Sequence, residues 1–177
     1  MSDNNFIKLN RSCDGFLVPS GDKIILKKDT LVKITQSLGG DFTLYVNGNL
    51  VKISGKDGDA IGQKVEQTIQ KEENFNENII WETLKTCYDP EIPVNIVDLG
   101  LVYNLSTKKI SDNNYYIEIK MTLTAPGCGM GPVIAQDVEN KITNLSFVKD
   151  VLVELVWDPQ WNQDMMTEEA KLKLGML

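Results

Sequence analysis

The residues best suited to chemistry lie in Thr122-Leu-Thr-Ala-Pro-Gly-Cys-Gly-Met-Gly-Pro132. Thr122 to Ala125 have the character of a half-buried strand and run into a Pro-Gly turn. Cys128 follows, between Gly127 and Gly129. Pro132 then opens an apolar-periodic stretch. Proline suits the first helical positions because its fixed φ fits and its missing N–H is not needed there. The pattern predicts Cys128 just before a helix N-terminus, where uncommitted backbone N–H groups and the positive end of the dipole point towards the sulfur. Settings of that kind favour thiolate, the form that attacks electrophiles and binds soft metals. The flanking glycines let the backbone come close to whatever the sulfur holds. The competing reading is a small hydrophobe in a strand-to-helix turn.

Other candidate groups are few. The chain has no histidine, which removes Ser-His-Asp and Cys-His nucleophile activation, HExxH metalloproteases and the 2-His-1-carboxylate iron site together. Its three cysteines form no CxxC pair, which argues against a disulfide framework and a self-contained zinc site. Three thiols also fall short of the four thiolates an iron–sulfur cluster usually takes. Asp89, Glu91 and Asp98 cluster in sequence. They either receive backbone N–H groups at turns or come near Cys128, where a carboxylate ligates iron or orients a thiol. Thr124 should point away from the core-facing residues, towards the Cys128 loop or a strand end. Cys87 falls on a helical stripe, which gives it a core-packing role ahead of a ligand role. Trp157 and Trp161 read as packing residues rather than a stacking platform, given the acidic charge.

The elements that must carry these groups divide the chain in two. Residues 1–16 are polar and read as an extended or loosely ordered lead-in. From Leu17 to Ile61 the pattern is all β, with short alternating runs, a Gly39-Gly40 turn and an Asn47-Gly48 hairpin signal. This predicts a small barrel or sandwich over residues 1–62. Ser54 to Gly62 resembles a metal loop but lacks EF-hand spacing and reads as a turn into a last short strand. Residues 63–77 are polar and read as a linker.

Residues 78–177 change character. Ile80, Trp81, Leu84, Cys87 and Tyr88 fall at helical offsets, and Pro90 ends that helix. A strand enters at Ile96, Asp112-Asn-Asn114 turns it, and Tyr116 to Leu123 alternates as an antiparallel strand with one buried face. A second helical stripe runs through Ile134, Val138, Ile142 and Leu145. Phe147 to Trp157 is an apolar strand, and Thr167 caps a short terminal helix ending near Gly175. The whole is an α+β fold, with a small all-β domain followed by a compact domain of helices on a small mixed sheet.

Composition narrows the function. The net charge of −7 makes nucleic acid a poor partner, and no apolar run is long enough to span a bilayer. The N-terminus lacks the pattern of a signal peptide, so a soluble, cytoplasmic protein is expected.

Thr86-Cys-Tyr-Asp-Pro-Glu-Ile-Pro-Val-Asn-Ile-Val-Asp-Leu-Gly-Leu-Val-Tyr103 resembles the signature of the PaaD-like metal–sulfur cluster assembly superfamily. Leu123 to Gly131 and Trp157 to Met166 extend the match. With a β-rich half in front, the chain resembles the SufT family of bacterial iron–sulfur assembly factors. The likeness is strong over residues 78–177 and holds by arrangement before them. Cys13 has no counterpart in the superfamily pattern. The resemblance implies a non-enzymatic accessory role in maturing iron–sulfur proteins. It implies Cys128 as the functional thiol, with Asp89, Glu91, Asp98, Thr124, Gly127 and Gly129 as the surrounding pocket. Its partners would be assembly or carrier proteins and client apo-proteins. The cluster would be transient and shared. Two chains, as a homodimer, or one chain and a partner could each give Cys128, with Cys87 or small thiols completing the set. Two other readings stay open, a thiol-dependent redox protein or enzyme using Cys128 as nucleophile, and an acidic adaptor in which Cys128 is structural.

Overall fold

The computed structural model describes residues 5–65 and 74–177. Contacts divide the chain into two compact units, Met1–Thr68 and Ile69–Leu177. The expected linker, 63–77, lies partly outside the described residues.

The first unit holds β1 (Ile7–Lys8), β2 (Cys13–Val18), β3 (Lys23–Leu26), β4 (Leu31–Leu38), β5 (Asp41–Val46) and β6 (Asn49–Ile53). They form one antiparallel sheet in the order β1-β4-β5-β6-β2-β3. Asn47 and Gly48 both sit at positive φ between β5 and β6, as a tight hairpin turn requires. Val32, Leu44, Val51 and Ile53 form the core with Leu9 and Cys13. Within the lead-in expected over residues 1–16, residues 5–16 are therefore structural, because they supply β1 and four of the six residues of β2. Residues 55–61 are a 3-10 helix rather than a strand, and Ala60 and Ile61 are buried against the sheet. Arg11 fixes that helix by donating to Asp57 (3.0 Å) and Asp59 (2.7 Å from Nε), and it holds the Asp59 carboxyl below its ordinary range. The two aspartates thus serve an ion pair, not a metal.

The second unit runs α1 (Glu77–Leu84), β7 (Val102–Ser111), β8 (Asn114–Met121), α2 (Gly131–Thr143), β9 (Val148–Leu155) and α3 (Glu168–Lys173). Asn76 caps α1 by accepting the Asn78 N–H, and Ile80 and Leu84 are its buried residues. The helix stops at Leu84 rather than running to Tyr88. The Cys87 N–H turns back to Leu84 O (3.0 Å), and the extended path that Pro90 imposes begins beyond it. Phe75 stacks on Tyr115 with ring centroids 3.9 Å apart, so this residue of the expected linker packs within the second unit.

The strand expected from Ile96 begins only at Val102. Leu99 N–H returns to Asn95 O and Leu101 N–H to Ile96 O, which closes residues 95–101 into a turn. β8 is the middle strand, antiparallel to β7 and parallel to β9. The sheet is therefore mixed, as expected, and the parallel pair is possible because α2 supplies the crossover it needs. Ile117, Ile119 and Met121 of β8 are buried, as are Ile134, Val138 and Ile142 of α2. The Thr167 side chain accepts the Ala170 N–H and caps α3. Among the described residues, no helix is long and apolar enough to cross a membrane.

Ile119, fully buried between Leu105 and Val153, sets the cost of opening this sheet. Ile119→Ala should destabilise the second unit by about 2–5 kcal/mol, read as a lower urea midpoint at unchanged slope.

Candidate functional site

Three motif-bearing segments leave the second unit at one end of its sheet. Met121, the last residue of β8, is paired with Val102 on one side and Leu155 on the other. One residue further on, Thr122 N–H donates to Leu101 O and Val156 N–H donates to Met121 O, each at 2.8 Å. The loop carrying Asp89, Glu91 and Asp98 therefore ends where the Cys128 loop begins, and the Trp157–Trp161 segment starts beside both.

The Cys128 loop departs from expectation at its start. Strand β8 stops at Met121, so Thr122 to Ala125 are not strand. Pairing runs out because β7 begins, and β9 ends, on that rung. The Pro126-Gly127 turn forms as the sequence predicts. Gly127 has φ 76, a conformation open to glycine and strained for other residues. Ala125, Pro126, Gly127 and Gly129 are exposed, while Thr124 and Cys128 are half-buried. Gly131, not Pro132, is the first residue of α2, and Pro132 takes the second position. Gly131 N–H donates to Cys128 O (3.1 Å), no side chain caps the helix, and Met130 is buried beneath the loop. Cys128 thus stands three residues before α2, with the helix dipole behind it. Thr122 was not singled out from sequence. Its hydroxyl is buried without a hydrogen-bond partner among the described residues, a cost of about 1–3 kcal/mol at the base of the loop.

The acid loop is ordered by its own polar groups. A bridge between Tyr88 and Asn95 closes its first part. Asp89 is buried and accepts the Glu91 N–H at 2.9 Å, while Glu91 is exposed. Asp98 accepts from Asn95 Nδ2 (2.8 Å), and its N–H donates to Asn95 Oδ1 (2.9 Å). The C-terminal segment straps this loop down. Trp161 Nε1–H donates to Leu99 O (2.7 Å), Thr167 N–H to Asp98 O (2.9 Å) and Tyr103 O–H to Pro159 O (2.7 Å). Trp161 is the packing residue that was expected. Trp157 is not, being 45% exposed.

The thiols sort themselves by burial. Cys87 is fully buried and Cys13 nearly so, whereas Cys128 is half-buried. Burial pushes the Cys13 thiol pKa up, and Asp57 adds to it. Among the described residues, no three His, Cys, Asp or Glu side chains gather as a metal site. One chain thus offers one accessible thiol, Cys128.

A family model described as "Iron-sulfur cluster assembly protein" matches residues 77–155. An "Fe-S protein maturation auxiliary factor" of Porphyromonas gingivalis is 46% identical over 101 residues, covering 57% of this chain and 92% of that protein. The "Fe-S protein maturation auxiliary factor SufT" of Staphylococcus aureus is 40% identical over 88 residues, covering 50% of this chain and 96% of that one. A crystal structure of a domain of unknown function from Bacillus anthracis is 37% identical with a TM-score of 0.51, covering 57% of this chain and 92% of its own. About half of the present chain thus spans nearly all of each relative.

Two outcomes follow from this geometry. Native protein treated with iodoacetamide near neutral pH should be modified at Cys128 first, with Cys13 and Cys87 reacting only on unfolding, as read by peptide mass mapping. At φ 75, Gly100 faces the Met165 carbonyl, which an added Cβ would strike. Gly100→Ala should therefore cost about 2–3 kcal/mol in denaturant unfolding.

Proposed function

We propose a role that starts from kinship: this chain belongs to the SufT family of Fe-S protein maturation auxiliary factors and acts as an accessory factor in assembling or delivering iron–sulfur clusters. The cluster is cargo rather than a resident group. Cys128 is the working thiol, and the observation that carries this is its place as the accessible sulfur at the shared end of the three motif segments. Asp89, Glu91, Asp98, Thr124, Gly127 and Gly129 form the surround of that thiol. Glycines on both sides leave room for a bulky inorganic ligand or a partner's thiolate.

Thiolate arithmetic supports sharing. A cluster usually takes four thiolates, and Cys87 and Cys13 are buried, so the remaining sulfurs come from a second chain, a carrier, a client or small thiols. Without imidazole the chain has no ready general base for a thiol enzyme, which supports assistance rather than catalysis. Residues 1–62 form a separate β domain, joined through residues 63–77 to the domain of residues 78–177, and the setting is the cytoplasm.

Anaerobic reconstitution with iron and sulfide tests this reading, with native mass and visible spectrum read together. Wild type should show cluster absorbance, with the native mass reporting whether small thiols or a second chain complete the ligand set. Cys128→Ser should lose it by roughly tenfold, while Cys13→Ser should keep it. Full absorbance in Cys128→Ser would overturn the assignment of the thiol.

A further inference from the structure

We propose that the Cys128 end of the second unit's sheet is a docking face for a protein with a basic surface, and that Trp157 is its apolar anchor. This deepens the reading above by naming the partner's chemistry. Trp157 is 45% exposed, whereas Trp161, four residues on, is half-buried with its indole N–H bound to Leu99 O. The Trp157 backbone is anchored on both sides. Val156 N–H is bonded to Met121 O before it, and Pro159 O receives the Tyr103 hydroxyl after it. An exposed indole on an anchored backbone offers its apolar face for burial in a partner's pocket, the setting in which Trp contributes most to binding.

Charge decides the kind of partner. The segments that leave this end, residues 86–101, 122–130 and 156–167, hold five acidic residues and no Lys or Arg. Three lysines gather elsewhere. Lys108, Lys109 and Lys149, with Asp150, line a concavity of about 620 Å³ beside Tyr116, five residues back along β8 from Met121. That is about 17 Å along the strand. The three segments at the thiol's end therefore carry only negative formal charge of their own, with Lys141 reaching in to Thr86 O and Lys120 just behind Met121. A second copy docked end to end would set these acids against themselves, so a different, basic protein is the matching occupant.

The test uses the full chain, isotope-labelled, and two tryptophan-free amphipathic peptides that share an apolar face and differ only in a Lys or a Glu polar face. The Lys peptide should shift the Trp157 indole N–H signal and the amides of residues 124–131. Its affinity should fall about fivefold or more in Trp157→Ala, fall less in Asp158→Asn, and weaken steeply with salt. The proposal is overturned if the Glu peptide binds equally, if Trp157→Ala binds the Lys peptide undiminished, or if the shifts map to Lys108, Lys109 and Lys149. Peptide binding is read on protein without added iron or sulfide. A failure of docking is thereby distinguished from a failure of the thiol assignment, which reconstitution reads separately.

Discussion

The rung formed by Val102, Met121 and Leu155 is the constraint on which the second unit depends. Backbone pairing ends there on both sides of β8. Two further bonds, Thr122 N–H to Leu101 O and Val156 N–H to Met121 O, carry the pairing one residue beyond and then release three loops together. Asp98, Thr124 and Trp157 lie within a few residues of that release, and Cys128 six residues beyond Thr122. Because β8 is central, its position is fixed by β7 through a short hairpin and by β9 through α2. The loops therefore start from a rigid base, although little of their own length is regular structure.

From that base each loop is held by a different device. The acid loop uses Asx-type bonds, with Asp89 accepting from Glu91 N–H and Asn95 paired with Asp98. The C-terminal segment adds bonds to consecutive carbonyls, Asp98 and Leu99. Gly100, next in line, must lack a side chain for Met165 to pass. The Cys128 loop has less holding it. Its turn rests on Pro126-Gly127, its far end on the first turn of α2 and buried Met130, and its start carries an unpaired threonine hydroxyl.

The first unit follows other physics. Its core is a single antiparallel sheet closed by a 3-10 helix, and its one multiple ion pair, Arg11 with Asp57 and Asp59, ties the N-terminal strands to that helix. All eleven glutamates of the chain fall after residue 62, while residues 1–62 hold eight basic residues against seven aspartates. The acidic character of the protein thus belongs to the second unit, where the thiol is. Cys13 is buried under this sheet, and that burial raises its thiol pKa.

Sequence by itself determined what is local. The Asn47-Gly48 hairpin, the Pro126-Gly127 turn, the apolar stripe of α2, the alternation through Ile117, Ile119 and Met121, and the Thr167 cap all rest on residues within a turn or two of one another. The motif residues were legible as well, because their types and spacing are short-range. Sequence could not say which neighbour of β8 would be the parallel one, that its pairing would stop at Met121, that Ile96 would open a turn, or that Trp157 would stand more exposed than Trp161. Those outcomes depend on which strands meet and in what register. A period of two in side chains reports a buried face but not its partner. Only the tertiary structure brought Val102, Met121 and Leu155 onto one rung, and so set the ends of three separate motif segments side by side.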